Sequence, residues 1–330
     1  MLKMVQPRQA FARRRGPSRA QWREWITAYI FMGPQLIGLL VFVAGPLIIS
    51  LYYTFVHWNF IDPQPTWVGL ENWLYLFHDV RIGTVLWNTV KFILTGTLSF
   101  LVFSLLVALM LFKPRKGAAL FRALFFLPYV LSQVAVAVAW RWMFNTQSGP
   151  IVTAFNLFHL PSPDWLLDPR FAMISIAIVT TWQGLGYGMT LFLAGLQGIP
   201  AQLTDAAMVD GANAFQRFFR ITLPLLSPTI LFLTITSFIG AFQLFDPVVF
   251  MTDAGASIGG AGGPSDSTRT IVLYLYNQMF QYSEHISGIG YAATIGWMLA
   301  ILIFLVTIIQ WVFARKWVFY LGEQRDRSKP

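Results

Sequence analysis

Cysteine is absent from the 330 residues, which excludes a disulfide framework and any thiolate metal site. Charge is scarce at 11% of residues, and the four histidines, His57, His78, His159 and His285, all fall outside the long apolar runs. That scatter speaks against a metal centre. No GxxxxGK[ST] pattern occurs anywhere, so the chain carries no nucleotide-hydrolysis motif of its own. Clusters of Asp, Glu or His are missing from the apolar runs, which argues against a membrane-embedded enzyme and against an ion-coupled carrier, both of which need such groups at membrane depth.

Apolar residues fill the space left by charge: 56% are hydrophobic, 16% aromatic, and the mean hydropathy is +0.59. Crossing about 30 Å of hydrocarbon takes roughly 20 helical residues. Six runs meet that length, approximately 28–53, 88–112, 121–144, 171–196, 223–246 and 289–313. The first is too long for a signal peptide and lacks a small-residue cleavage site, so it is read as an uncleaved helix. The expected fold is therefore all-α, a polytopic membrane protein with six transmembrane helices. It divides into a basic arm at 1–27, a membrane domain at 28–313 and a tail at 314–330.

The net charge of +9 is unevenly placed. The segments 1–27, 113–122, 197–222 and 314–330 hold 18 basic against 5 acidic residues, whereas 54–91, 141–170 and 247–288 hold 5 basic against 8 acidic. This asymmetry puts both termini in the cytoplasm. Nucleic acid becomes an unnecessary partner, because Arg13, Arg14 and Arg15 serve orientation and contact with anionic membrane lipid.

The outer loops are rich in turn formers and aromatics. WNFIDPQPTWVGLENWLYLF (58–77) breaks at Asp62-Pro63, Pro65 and Gly69 before an amphipathic helix bearing Trp73 and Phe77. The glycine-rich segment 254–263 lies in a low-complexity stretch and lacks the strand, lysine and helix of a phosphate cradle. Charged groups fall only near the ends of the spans, as Lys91 does in the second and Asp246 in the fifth, and the other polar groups are uncharged. Ser132 and Gln133, Trp182, Gln183 and Tyr187, and Gln243 stand out, and each serves equally well as interhelical glue. Gly184, Gly186 and Gly188 let helices approach closely or break beside a cavity.

One cytoplasmic stretch concentrates charge: DAAMVDGANAFQRFFRITLP, Asp205 to Pro224. Its pattern reads as a short helix to Val209, a left-handed stop at Gly211, an Asn213 N-cap, and a second helix with Phe215, Phe218 and Phe219 on one face. Pro224 then opens the fifth span. On these grounds alone the loop is either an ordinary interfacial segment or a docking knob for a cytosolic partner.

This stretch resembles the cytoplasmic signature loop of binding-protein-dependent ABC importer permeases. That pattern runs Glu-Ala-Ala, three residues, a glycine and, about thirteen further on, a proline; Asp205-Ala206-Ala207, Gly211 and Pro224 keep the register. WVGLENWLYLF (67–77), WNTVKF (87–92), FRALFFLPYVLSQVAVAVAWRWMFN (121–145), GGPSDSTRTIVLYLYNQMF (262–280) and GIGYAAT (288–294) are similar to the carbohydrate-type subfamily. The resemblance covers roughly 28–313 and implies a type I ABC importer permease fold in a bacterial or archaeal cytoplasmic (inner) membrane.

It further implies a second, usually non-identical permease, two ATP-hydrolysing subunits that hold ATP and magnesium, and an extracytoplasmic solute-binding protein delivering a sugar-like substrate. Asp205, Ala206, Ala207, Met208, Asp210 and Gly211, with Pro224 beyond, would couple to the ATPase. Asp205 stands where the family has glutamate, keeping charge and helix-N-terminal preference but shortening the reach. From residue chemistry, the substrate-path candidates are Trp182, Gln183, Tyr187 and Gln243, since sugars bind by aromatic stacking and hydrogen bonds.

Overall fold

The computed structural model describes residues 19–58, 64–113, 116–252, 262–280 and 288–319. Arg13 to Arg15, Asp62-Pro63, residues 254–261 of the glycine-rich segment, His285 and the tail from 320 lie outside them. The chain divides into two units, residues 1–52 and 53–330. The described residues of the first form one helix, α1 (Arg19–Tyr53), long and apolar enough to cross a membrane. A wider π turn at Leu40–Ala44 precedes Pro46, whose missing N–H interrupts the regular ladder.

The second unit is helical around two apolar cores. Three of its helices qualify as membrane spans: α3 (Val80–Phe112), α7 (Ala172–Gln197) and α13 (Ile289–Trp317). Two bent pairs qualify when each is taken together: α4 (Ala118–Val130) with α5 (Gln133–Met143), bent by 97°, and α9 (Ala214–Leu225) with α10 (Ser227–Phe242), bent by 63°. The described residues thus hold four spans, or six counting each bent pair as one.

Both bends interrupt runs that read in the sequence as single spans. The first falls at Leu131 and Ser132, where the backbone is extended (ψ 149° and 128°), just after the last turn of α4, which contains Pro128. Pro228 disfavours helical geometry at the residue before it, and α10 restarts with that proline in its first turn. The fifth span is accordingly not opened by Pro224. Its helix begins at Ala214 and passes through a π turn, Phe218–Thr222, before breaking at Leu226.

Short elements close one end of the second unit. Val56–His57 (β1) pairs antiparallel with Thr66–Trp67 (β2), a two-residue ladder that the absence of any strand pattern did not foreshadow. Gly69 adopts φ 62° and admits the chain to α2 (Glu71–His78). Two asparagines then tie loops to helices. Asn72 donates to the Thr54 and Val56 carbonyls, both at 3.0 Å, and Asn88 donates to those of Asp266 and Arg269 at 2.7 and 3.1 Å. A Cβ on Gly290 would sit 1.9 Å from the Val56 carbonyl oxygen, so only glycine lets α13 start beneath β1.

Behind them pack α11 (Asp246–Thr252) and α12 (Ile271–Phe280). Asp79, capping α3 through the Arg81 amide at 2.9 Å, accepts from the hydroxyl of Tyr291 at 2.6 Å and from that of Tyr274. Burial first, then the Asp79 carboxylate, pushes the Tyr274 hydroxyl above its ordinary value, so it remains a donor.

Lipid is as apolar as a protein core, so close packing rather than removal from water holds such helices together. The glycines of α7 supply it. A Cβ on Gly186 would meet the Phe125 carbonyl oxygen at 2.2 Å, and one on Gly188 the Ser104 hydroxyl at 2.4 Å. The helix runs unbroken through all three glycines, which settles the earlier choice between close approach and a break.

Candidate functional site

Two places concentrate the residues singled out in the sequence. The first is the loop after α7. Pro200 precedes α8 (Ala201–Val209), which ends as the glycine predicts: Gly211 has φ 80°, its amide donates to the Met208 carbonyl at 3.1 Å, and the Ala212 amide reaches Ala207 at 2.9 Å. These are the two bonds of a Schellman stop.

Asn213 then caps α9 through a capping box with Gln216, the amides and side chains exchanging bonds of 2.8 and 2.9 Å. Arg217 turns back to donate to the Ala212 carbonyl at 2.6 Å, so it braces the turn instead of pointing to a partner. Phe215, Phe218 and Phe219 form the expected aromatic cluster, with centroids 4.4 Å apart for the first and last.

Asp205 does not sit in the first turn. It is the fifth residue of a helix that starts at Ala201, so the helix dipole gives it little advantage, and its side chain is exposed. Asp205, Ala206, Met208 and Asp210 are exposed, and Ala207 is half-buried. Val209 is 88% and Phe215 71% exposed, so a rigid two-helix knob presents apolar side chains without cover.

The second place is an open cavity of about 410 Å³ lined by α3, α4, α5, α7 and α10. Its aromatic wall stacks Tyr129 on Tyr187, with centroids 5.1 Å apart and planes 16° from parallel. Its polar lining includes Gln133, Thr180, Thr181, Thr236 and Ser237, and no charged group. Thr180 and Thr236 donate to carbonyls one turn back on their own helices, at 2.9 Å each. Their protons are thereby engaged, and the hydroxyl oxygens keep acceptor capacity for a ligand that donates.

Of the four substrate-path candidates, Tyr187 lines this cavity. Trp182 packs edge-on against Trp140 at 5.4 Å, and Gln183 donates to the Leu131 carbonyl at 3.2 Å, so both sit at the bend between α4 and α5. Gln243 is exposed at the end of α10, beside the lining residue Leu244. The threonines escaped attention because single hydroxyls on apolar runs look like helix glue. Gln133 was visible as a polar group in the third run, but only the bend turns it into the cavity.

Residues 100–318 match the family described as binding-protein-dependent transport system inner membrane component. The chain belongs to this family. Among similar proteins, the probable ABC transporter permease protein YesP of Bacillus subtilis is 34% identical, with 93% of this chain and 96% of that protein covered. The lactose transport system permease protein LacF of Rhizobium radiobacter is 33% identical over 88% and 95%. The sn-glycerol-3-phosphate transport system permease protein UgpA of Salmonella typhimurium is 31% identical over 92% and 99%.

In three dimensions this permease resembles a chain from a bacterial ABC transporter involved in import of the acidic polysaccharide alginate, with a TM-score of 0.73, 21% identity and coverage of 90% and 98%. A second structure, of that transporter with an alginate pentasaccharide-bound periplasmic protein, gives 0.74. The type I importer permease fold follows. The chain is a permease subunit of an ABC importer and a multi-pass protein of the bacterial inner membrane.

Proposed function

We propose that this permease forms half of the pathway by which an uncharged, polar carbohydrate-like solute enters the cell. A solute-binding protein would deliver the substrate on the outer side, and two separate subunits would bind ATP and magnesium and hydrolyse the nucleotide. The observation that carries the substrate class is the cavity beside Tyr129 and Tyr187. An aromatic platform ringed by hydroxyl acceptors, with no charged group, suits the faces and hydroxyls of a sugar or polyol. The lactose relative is consistent with that class, whereas the sn-glycerol-3-phosphate named for another relative is an anion and falls outside it.

Both termini and the 197–222 loop are assigned to the cytoplasm by the charge asymmetry. The knob from Asp205 to Gly211 then faces the ATPases, with Ala206 and Ala207 permitting close approach and Pro224 lying in the helix that leads to the bend. Movement of the knob would pass through α9 to Leu226 and tilt α10, which lines the cavity. That is a two-state element biased by a remote ligand.

Reconstitution of the full transporter in proteoliposomes tests the reading. Uptake of a radiolabelled oligosaccharide should require both ATP inside and binding protein outside. Uptake driven by an ion gradient without ATP would replace this reading with that of a secondary carrier.

A further inference from the structure

The end of α3, Lys113, Lys116 and the start of α4 line a separate cavity of about 550 Å³. Leu111 on one side and Phe121 and Phe125 on the other give it apolar walls, while Lys113 and Lys116 stand in the turn at its end. Both lysines are exposed, and among the described residues neither pairs with a carboxylate. Among the described residues, Arg122 adds a third cation close by. Its Nη2 donates to the Leu111 carbonyl at 2.9 Å, and its Nε is buried without a partner. No acidic residue occurs between 113 and 122 to neutralise this group.

A soluble anion would use the lysines and leave the apolar slot empty; an uncharged lipid chain would do the reverse. A molecule with an anionic head and an apolar tail satisfies both. The charge asymmetry sets this turn at the cytoplasmic face. A second permease inserted under the same rule would bring further cations to that face, so it complements the lysines poorly.

We propose that this cavity binds one anionic phospholipid of the inner leaflet, its phosphate held by Lys113 and Lys116 and an acyl chain lying against Leu111, Phe121 and Phe125. Such a lipid would bridge the α3–α4 turn on the face where the coupling knob is assigned.

Native mass spectrometry of the full-length chain in neutral detergent tests this, using phosphatidylglycerol and phosphatidylcholine of identical acyl chains. Each lysine near an anionic head corresponds to about a fivefold change in affinity, so the double variant K113Q/K116Q should lower phosphatidylglycerol binding by roughly thirtyfold. Phosphatidylcholine binding should be unchanged. K113R/K116R should restore the preference, which separates loss of charge from misfolding. Ala118→Trp, which fills the slot, should weaken phosphatidylglycerol binding with both lysines intact.

Equal binding of the two lipids by the native chain, or an undiminished preference in K113Q/K116Q, would overturn the proposal. So would equal competition by inorganic phosphate, which would mark a free-anion site. In the assembled transporter a photoreactive benzoylphenylalanine at position 121 should crosslink to lipid; crosslinking to the second permease instead would also overturn it.

Discussion

The backbone amide of Phe319 donates to the Ser227 hydroxyl at 2.9 Å, joining the residues just beyond α13 to the first residue of α10. Ser227 is buried, and its own proton goes to the Pro224 carbonyl at 2.6 Å. One side chain therefore braces both sides of the 63° bend and anchors the last helix to it. Ser227→Ala should cost about 0.5–1.5 kcal/mol for each bond lost, seen as a lowered unfolding temperature. Ser227→Thr, which keeps the hydroxyl, should recover most of it. An unchanged unfolding temperature in Ser227→Ala would show that the bend is held by packing alone.

Gly186 and Gly83 make a paired comparison. A methyl at 186 meets backbone atoms of α4, which cannot rotate away, whereas one at 83 meets nothing within 4 Å. Gly186→Ala should destabilise by about 1–3 kcal/mol through overpacking. Gly83→Ala should be neutral or stabilising by up to about 1 kcal/mol, since alanine favours a helix over glycine. Thermal unfolding in one detergent reads both, and equal effects would contradict the close contact of α7 with α4.

Asp79 is the shared acceptor of two buried tyrosine hydroxyls. Asp79→Ala removes this shared acceptor, at about 1–3 kcal/mol for a hydroxyl left unsatisfied. Tyr291→Phe removes only one bond. Adding Tyr291→Phe to Asp79→Ala should thus cost less than Tyr291→Phe alone, a non-additivity that a double-mutant cycle of unfolding free energies measures directly.

What the sequence disclosed followed the range of its signals. Gly211 and Asn213 act within a few residues, and the turn they specify appears with its Schellman bonds and capping box in place. The six apolar runs were legible because hydrocarbon thickness imposes a length on each. The 97° bend was hidden, because Pro128 marks a weakness in a helix without giving its angle. The cavity depended on that bend: Gln133 and Thr236 lie about a hundred residues apart, and no local pattern announces that they face one space. Asp205 misled in a smaller way, since the helix extends four residues further back than its charged stretch suggests.

Gly211 offers a test of the knob that leaves the membrane domain untouched. Its φ of 80° is strained for any β-branched residue, yet a Cβ there meets no atom within 4 Å. Gly211→Val should therefore cost about 1–3 kcal/mol of local backbone strain and disorder the end of α8, with insertion and global unfolding near normal. Gly211→Asn, which tolerates the left-handed region, should behave close to the native chain. Under the coupling proposal the valine variant copurifies with fewer ATPase subunits and loses ATP-driven uptake. Native stoichiometry and native uptake in that variant would dismiss the assignment.

The cavity makes the last prediction, because it separates Tyr187 from Trp182. Tyr187 is stacked on Tyr129 inside the cavity, whereas Trp182 stands at the α4–α5 bend against Trp140. If solute passes along the stacked tyrosines, Tyr187→Ala removes a platform and Thr236→Val removes an acceptor oxygen at nearly constant volume. Stacking and a single hydrogen bond are each worth about 1 kcal/mol, so each variant should lower transport roughly fivefold at limiting substrate. Trp182→Ala should lower the unfolding temperature and leave the substrate dependence of uptake unchanged. The reverse pattern, with Trp182→Ala shifting the apparent KM and Tyr187→Ala inert, would move the pathway from the tyrosine-walled cavity to the groove beside the bend.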